Sequence, residues 1–179
     1  MDVTEGRVSQ YAHLMGISTP IREVPSIGIG SSEVVLLEMV AAYSVFPNRG
    51  IYVEPTAVHR IDDADGNIIE QASGRRREVL RPAVTIVMTD MMRSVMDEVG
   101  GTGRSARTVY GFRSPAAGKT GTTNDYRDAW FIGFTPDLVA GVWVGADDQR
   151  VSLANQSGAT PALPLWALFM KEVYDTLEP

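Results

Sequence analysis

The chain has 179 residues, 44% of them hydrophobic and 21% charged, which is an ordinary composition for one globular domain. Its net charge of -6 excludes the basic field that recruits nucleic acid, and the absence of cysteine excludes disulfides and thiolate chemistry. Neither a run of about 18 apolar residues nor a signal-peptide pattern is present. Nothing in the sequence therefore targets or anchors the chain, which fits a cytosolic protein and equally a piece of a larger exported one.

The first part of the sequence predicts two helices that help to form the core. Apolar residues with helical spacing run from Val8 to Met15 and end at Gly16, a typical C-terminal cap. After a proline-containing connector, a second helix is predicted from about Val34 to Phe46 and ends at Pro47. Its inner side is expected to comprise Leu37, Val40, Ala41 and Ser44.

A surface hairpin and a third helix are predicted next. Residues Val53 to Ile61 and Asn67 to Gln71 predict two strands around the turn signal Asp65-Gly66. The run Arg75-Arg76-Arg77 is interpreted as a solvated loop. Pro82 suits the first turn of a helix. The apolar stripe of that helix is expected to comprise Val84, Val87, Met88, Met91, Met92, Val95 and Val99.

The last part predicts a sheet covered by a helix. Large and small residues alternate between Ala129 and Phe134, whereas Leu138 to Val144 is apolar on both faces and predicts an interior strand. A closing helix is predicted to begin near Pro161 or Pro164. Its repeating apolar positions are Leu163, Trp166, Phe169, Met170, Val173, Tyr174 and Leu177. Helices followed by an antiparallel sheet indicate an α+β fold.

The chemistry is concentrated between Ala116 and Thr123. Lys119, one of only two lysines, lies between two glycines and beside three threonines. Such a strand offers backbone N–H groups to an extended peptide, hydroxyls to its carboxylate and an ammonium to its negative charge. The segment therefore predicts an acyl-transfer site, although a short Lys-Thr-Gly sequence also occurs in plain polar edge strands.

Three other motifs are disfavoured by their spacing. A phosphate-binding loop that ended at Gly118-Lys119-Thr120 would need a glycine where Arg113 stands. Gly101 to Ala106 matches a loose dinucleotide pattern but follows a predicted helix, where a strand is required. Asp62 to Asn67 lacks two carboxylates that a calcium loop requires, so it is interpreted as a turn.

The remaining polar residues give weaker signals. His13 and His59 are isolated, so the sequence predicts no metal site, no cofactor and no histidine-dependent triad. Asp147-Asp148 and the loop Asn124 to Asp128 could carry catalytic carboxylates. They are better explained as caps of strand ends that pair with Arg127, but the position beside Thr123 leaves a substrate-facing role open.

Lys119 to Asp125, followed by Arg127 to Pro136, resembles the third active-site motif and the following strands of class A penicillin-binding proteins. The similarity extends to Gly28 to Gly50 and to Val99 to Ala106, so it covers nearly the whole chain. Val35-Leu36 departs from the family's capping Thr and following Pro. The resemblance implies a partial penicillin-binding-protein/β-lactamase-like transpeptidase fold, with antiparallel strands and packing helices.

The resemblance also implies an activity, the cross-linking of peptidoglycan. A D-alanyl-D-alanine stem peptide acylates a serine and is then passed to an amine of a neighbouring stem, and β-lactams imitate that donor. Lys119 would supply positive potential and help proton movement. Thr120 and Thr122 would hold the terminal carboxylate, and the N–H of Thr122 would donate into the oxyanion hole. Gly121 would leave room for the substrate, which Thr123 would also contact.

The nucleophile of that family is missing from this sequence. It is a serine in a Ser-x-x-Lys motif, with a Ser-x-Asn motif beside it. The residues three positions before the two lysines are Ala116 and Leu168, and no serine has Asn two positions later. Residues 1–179 are therefore expected to be the C-terminal part of one transpeptidase domain, without catalytic activity alone. The alternative is a non-catalytic binding module that kept the scaffold.

The resemblance implies the partners as well. The chain would need the missing N-terminal half of its own domain. The intact parent would bind stem peptides and β-lactams at the extracytoplasmic, periplasmic side of the cytoplasmic membrane, whereas this segment itself would contact neither membrane nor nucleic acid. In the family, the strand from Leu138 to Gly145 lies beside a strand of the missing half, so it is expected to be an open edge here.

Overall fold

A computed structural model describes residues 3–123, 126–148, 150–153, 157 and 159–177. Its α-helices are α1 (Glu5–Leu14), α2 (Leu36–Ser44), α3 (Pro82–Asp97), α4 (Ser105–Thr108) and α5 (Ala162–Leu177), and a short 3-10 helix spans Pro25–Ile29. Its strands are β1 (Ile51–Val53), β2 (Arg60–Asp62), β3 (Ile68–Gln71), β4 (Arg76–Glu78), β5 (Ala117–Thr122), β6 (Asp128–Phe134) and β7 (Val139–Gly145). Two small antiparallel pairs, β1-β4 and β2-β3, accompany an antiparallel sheet of order β5-β6-β7. The predicted α+β class is confirmed.

The three-stranded sheet lies between helices. On one face, the ring of Phe131 in β6 packs against Trp166 of α5, with 5.0 Å between the ring centroids. On the other face, a Cβ atom added to Gly141 in β7 would lie 2.5 Å from Cγ2 of Val40 in α2. Alternation of side chains along the strands thus gives each face its own helix.

The closing helix forms the centre of the core, as the sequence predicts. Leu163, Trp166 and Met170 are completely buried. The indole N–H of Trp166 donates to the carbonyl oxygen of Ala140 at 3.1 Å, so its one polar atom is satisfied inside the core. Phe169 differs from the prediction because 54% of its side chain is exposed. It lies just beyond the edge of the buried arc of the helix.

The predicted inner faces of α2 and α3 are partly wrong. Leu37 is 61% exposed, whereas Ala41 is buried as predicted and Ala42 is buried beside it. Three predicted core positions of the third helical segment are also exposed, namely Val87, Met91 and Val99. Helix α3 buries Thr85, Met92 and Met96. Both helices are apolar around much of their circumference, so periodicity alone does not fix which part faces the sheet.

The predicted hairpin is confirmed, but its first strand is shorter than expected. Strands β2 and β3 pair around a turn in which the Asp63 carboxylate accepts hydrogen bonds from the N–H groups of Asp65 and Asn67. All residues of both strands are exposed, as expected for a surface arm. The predicted strand Val53 to Ile61 is wrong, because β1 and β2 are separate and Pro55 between them has no N–H to donate.

The arginine run is not a loop. Arg76 to Glu78 form β4, which pairs with β1. The guanidinium of Arg77 lies 4.4 Å from the ring centroid of Tyr52 and donates to the carbonyl oxygen of Leu14 at 2.8 Å. Arg77 thereby satisfies the C-terminal end of α1. A contact between residues this far apart in sequence leaves no local signal, which explains the wrong prediction.

Strand β7 is an edge strand in the part of the chain that the structure describes, where it pairs with β6 alone. This confirms the expectation of an open edge at Leu138 to Gly145. The sequence pattern of an interior strand is consistent with this arrangement, because most β7 side chains are half-buried on both faces.

Candidate functional site

Strand β5 carries the predicted site at the opposite edge of the same sheet. Among the described residues it pairs with β6 alone, so its other side is open. The strand begins in the core, where Ala117 is 1% exposed, and reaches the surface at Lys119 and Thr122. The apolar start anchors the strand, and its polar end is presented to solvent.

The hydrogen-bond pattern shows which backbone groups the open edge presents. The N–H of Thr123 donates to the carbonyl oxygen of Asp128 at 3.2 Å, and this pair continues the regular β5-β6 register. In an antiparallel ladder the direction of the backbone groups alternates from residue to residue. Gly121 therefore bonds toward β6, whereas the N–H and C=O groups of Thr120 and Thr122 are directed to the open edge.

Two side chains of β5 lie at this edge. The ammonium of Lys119 donates to the carbonyl oxygen of Thr120 at 2.7 Å, which folds the long side chain along the strand. The hydroxyl oxygen of Thr120 lies 2.8 Å from that of Thr102, in the turn that follows α3. The structure thus brings a cation, a hydroxyl and outward backbone groups together over a few ångströms of strand. Such an edge can bind an extended, negatively charged peptide end.

Thr123 lies at the end of this arrangement. Its hydroxyl oxygen accepts a hydrogen bond from the N–H of Asp128 at 2.9 Å, so this side chain also closes the connection between β5 and β6. Two further residues of the predicted motif, Asn124 and Asp125, lie outside the described residues. Thr123 therefore has a structural contact in addition to the predicted contact with substrate.

The nearby carboxylates are engaged in local contacts. Asp128 accepts a hydrogen bond from the indole N–H of Trp143 at 2.8 Å, across the β6-β7 ladder. Asp148 pairs with Arg150, whose side chain and backbone hydrogen bonds hold the pKa of Asp148 below its usual value. These contacts favour the interpretation of both residues as structural carboxylates at strand ends.

Two glycines bring β5 close to its neighbour. A Cβ atom at Gly118 would lie 2.8 Å from Cζ of Phe131 and 2.9 Å from the carbonyl oxygen of Ile132. A Cβ atom at Gly121 would lie 3.1 Å from Cβ of Trp130. Gly118 is thus the more tightly packed of the two. The local sequence does not indicate this role of Gly118, because only the identity of its cross-strand neighbour reveals it.

Thr102 is a second residue whose contact with β5 cannot be predicted from the local sequence. It belongs to Gly101 to Ala106, a segment that follows a predicted helix. The signal in the sequence was the similarity of Val99 to Ala106 to the same family as the Lys119 segment. Two segments that are both similar to motifs of one family can lie together in the fold even when they are separated along the chain.

Other candidate sites lie elsewhere or lack donors. No group of three His, Asp or Glu side chains that could hold a metal occurs among the residues described. A groove of about 560 Å³ is lined by residues of α1, β1 and β4 and their flanks, including His13, Tyr52 and Arg77, and by none of β5. The candidate site is thus an open strand edge and not a closed pocket.

Within the described ranges, no helix is long and apolar enough to cross a membrane.

Comparisons with known proteins identify relatives of this chain. Penicillin-binding protein 1A of Aquifex aeolicus is 42% identical over 148 residues, which cover 83% of this chain and 20% of that protein. Penicillin-binding protein 1A of Neisseria meningitidis serogroup A is 34% identical over 177 residues, which cover 96% of this chain and 22% of that protein. The chain therefore spans about a fifth of the length of these relatives.

Solved structures show the same fold. The crystal structure of penicillin-binding protein 1A from Haemophilus influenzae matches with a TM-score of 0.87 at 24% identity, over 98% of this chain and 31% of that one. The structure of PonA1 from Mycobacterium tuberculosis in complex with penicillin V matches with a TM-score of 0.73 at 26% identity, over 90% of this chain and 48% of that one. Residues 19–161 match the transpeptidase domain of penicillin-binding proteins. The chain belongs to the penicillin-binding protein transpeptidase domain family.

Proposed function

We propose that the open edge of β5 is the wall that binds the substrate carboxylate in a peptidoglycan D,D-transpeptidase site. One observation carries the proposal: the Lys119 ammonium and the Thr120 hydroxyl lie at the edge toward which the N–H of Thr122 is directed. A D-alanyl-D-alanine peptide that adds to this edge as a strand would place its terminal carboxylate beside a cation and a hydroxyl. The fold shared with a penicillin-bound relative supports the assignment.

The chemistry follows from charge development during acyl transfer. When a serine attacks the carbonyl group of the penultimate residue, the carbonyl oxygen becomes negatively charged. Hydrogen-bond donors that are already in place stabilise that charge. The N–H of Thr122 is the donor that this chain supplies, and removal of one such donor commonly costs about 100- to 1,000-fold in rate. Lys119 adds positive potential near the carboxylate and the leaving D-alanine. Gly121 keeps the wall flat where the peptide lies.

The nucleophile would come from polypeptide outside these residues. No serine of the chain forms a Ser-x-x-Lys or a Ser-x-Asn motif. We therefore assign residues 1–179 to the C-terminal part of one transpeptidase domain, inactive alone and active with the segment that carries the serine. The parent protein would work at the extracytoplasmic, periplasmic side of the membrane, on stem peptides and β-lactams.

Acylation by penicillin tests the carboxylate assignment. The sample is a reconstituted domain, in which this chain is assembled with a polypeptide that carries Ser-x-x-Lys and Ser-x-Asn. Penicillin should acylate the serine faster than its methyl ester, which lacks the anionic carboxylate. Thr120→Val should reduce that advantage about 10- to 150-fold, because a hydrogen bond to a charged group contributes about 1.5 to 3 kcal/mol.

Thr108→Val is the matched control, since Thr108 in α4 donates to the carbonyl oxygen of Arg104, the residue before that helix. It should leave the preference for the free acid unchanged. Equal acylation by acid and ester in the unsubstituted domain, or a Thr120→Val variant with the full preference, would contradict the assignment.

A further inference from the structure

The turn after α3 is hydrogen-bonded and closely packed against the end of the helix that precedes it. The N–H of Gly103 donates to the carbonyl oxygen of Val95 at 2.8 Å, and the N–H of Gly101 donates to that of Glu98 at 3.1 Å. A Cβ atom at Gly101 would lie 2.4 Å from the Val95 oxygen, so the turn can approach the helix this closely only with glycine there. Thr102 lies between these two glycines, and its position is thereby fixed.

This fixed position places Thr102 beside the carboxylate wall. Its hydroxyl oxygen lies 2.8 Å from the hydroxyl oxygen of Thr120, and the Thr102 side chain is otherwise exposed. The contact joins the C-terminal end of α3 to the strand that presents Lys119. Either hydroxyl can be the donor when no substrate is bound.

Binding of a substrate carboxylate would determine which of the two hydroxyls donates. A threonine hydroxyl has one hydrogen to donate and lone pairs to accept. If Thr120 donates its hydrogen to a carboxylate, its bond with Thr102 persists only when Thr102 is the donor. The two hydroxyls then form a chain, Thr102 to Thr120 to carboxylate, in which each bond polarises the next.

We propose that Thr102 is a positioning residue for carboxylate recognition, which acts by holding the Thr120 hydroxyl as a donor toward the open edge of β5. The inference rests on the proposed function of that edge and adds the residue that orients its hydroxyl. Thr102→Val keeps the shape of the side chain and removes the donor. The loss of one neutral hydrogen bond of about 0.5 to 1.5 kcal/mol predicts carboxylate binding about 2- to 10-fold weaker.

The test measures binding of two peptides to the whole 179-residue chain, tethered sparsely to a biosensor surface. The probes are diacetyl-L-lysyl-D-alanyl-D-alanine and the same peptide with a C-terminal amide. The unsubstituted chain should prefer the acid. Thr102→Val should reduce that preference, Thr102→Ser should retain it, and the control Thr108→Val should not change it. In a Thr120→Val background, Thr102→Val should have no further effect.

The possible results distinguish the role of Thr102 from the proposed function of the β5 edge. A chain that prefers the acid, loses the preference with Thr120→Val and keeps it with Thr102→Val would overturn the role of Thr102 and leave the wall intact. A chain that binds both peptides equally, or neither of them, would overturn the wall and with it the inference. Equal midpoints of thermal unfolding for all variants would show that the substitutions do not cause a general loss of structure.

Discussion

The indole of Trp166 lies directly against the backbone of Gly133, near the C-terminal end of the central strand β6. Its N–H is 3.3 Å from the Gly133 carbonyl oxygen, and a Cβ atom at Gly133 would lie 2.6 Å from Cζ2 of the indole. Gly133 is paired across the sheet with Gly118, the residue before Lys119. The packing of the closing helix therefore fixes the part of the sheet from which the candidate site extends.

Gly133→Ala should destabilise the chain. The added methyl group would overlap the buried indole, and overpacking of a close-packed core costs about 1 to 3 kcal/mol. Chemical unfolding should show a lower midpoint for this variant. Gly28→Ala is the control, because a Cβ atom there would meet nothing within 4 Å. Equal midpoints for the two variants would show that the helix and strand are less tightly packed than described.

The contact between Ser18 and Glu38 should make stability depend on pH. The hydroxyl and N–H of Ser18 donate to the Glu38 carboxylate at 2.5 and 3.0 Å and hold its pKa below the ordinary value of 4.5. A lowered pKa in the folded state gives stability that is present above pH 4.5 and is lost as the pH falls through the folded pKa.

Glu38→Gln tests this contact. The unsubstituted chain should exceed this variant in unfolding midpoint at pH 7, and the difference should shrink below pH 4.5. Glu70→Gln, on the exposed arm, is the charge-matched control. A difference that stays constant between pH 7 and pH 3 would rule out the contribution of the charged form.

The open edge of β7 should make the isolated chain self-associate. The strand has no charged side chain to discourage pairing with another strand, and Trp143 is 40% exposed. Leu165, Leu168 and Phe169 add exposed apolar surface on α5. Trp143→Lys should shift the chain toward monomer in sedimentation velocity. A lysine on an edge strand discourages pairing with a second chain, and its ammonium can still pair with Asp128. Val109→Lys adds the same charge on an exposed loop and should have no such effect, and a monodisperse unsubstituted monomer would refute the idea.

Much of the fold follows from local sequence patterns. The cap at Gly16, the turn at Asp65-Gly66 and, apart from Phe169, the buried stripe of α5 depend on neighbouring residues, so the sequence predicts them correctly. The composition of the Lys119 segment also predicts the candidate site, which stays a prediction. These features can be predicted without knowing which other parts of the chain pack against them.

The errors concern contacts between distant residues. The pairing of Arg77 with Tyr52, the exposure of Leu37 and the contact of Thr102 with Thr120 depend on which surfaces meet after folding. Apolar periodicity gives the width of a helix face but not the part of it that is covered. The sequence could therefore name the strand of the candidate site, whereas the residue that orients its hydroxyl required the structure.

The chain alone should not be acylated by a β-lactam. An acyl-enzyme ester needs a serine with its paired lysine, and no Ser-x-x-Lys motif is present. Intact-mass measurement after incubation with labelled penicillin should show the unmodified mass. A stoichiometric adduct that survives denaturation would mean that another nucleophile of this chain can react.

The most direct measurement compares the two lysines in the reconstituted domain. Lys119 lies at the open edge of β5, whereas Lys171 pairs with Asp175 on the closing helix. Lys119→Ala should reduce the rate of penicillin acylation by about 100-fold or more, since loss of a positioned charge or proton-transfer group commonly has that effect. Lys171→Ala should change the rate little. Equal rates for the two variants would contradict the assignment of the β5 edge as the wall of the acyl-transfer site.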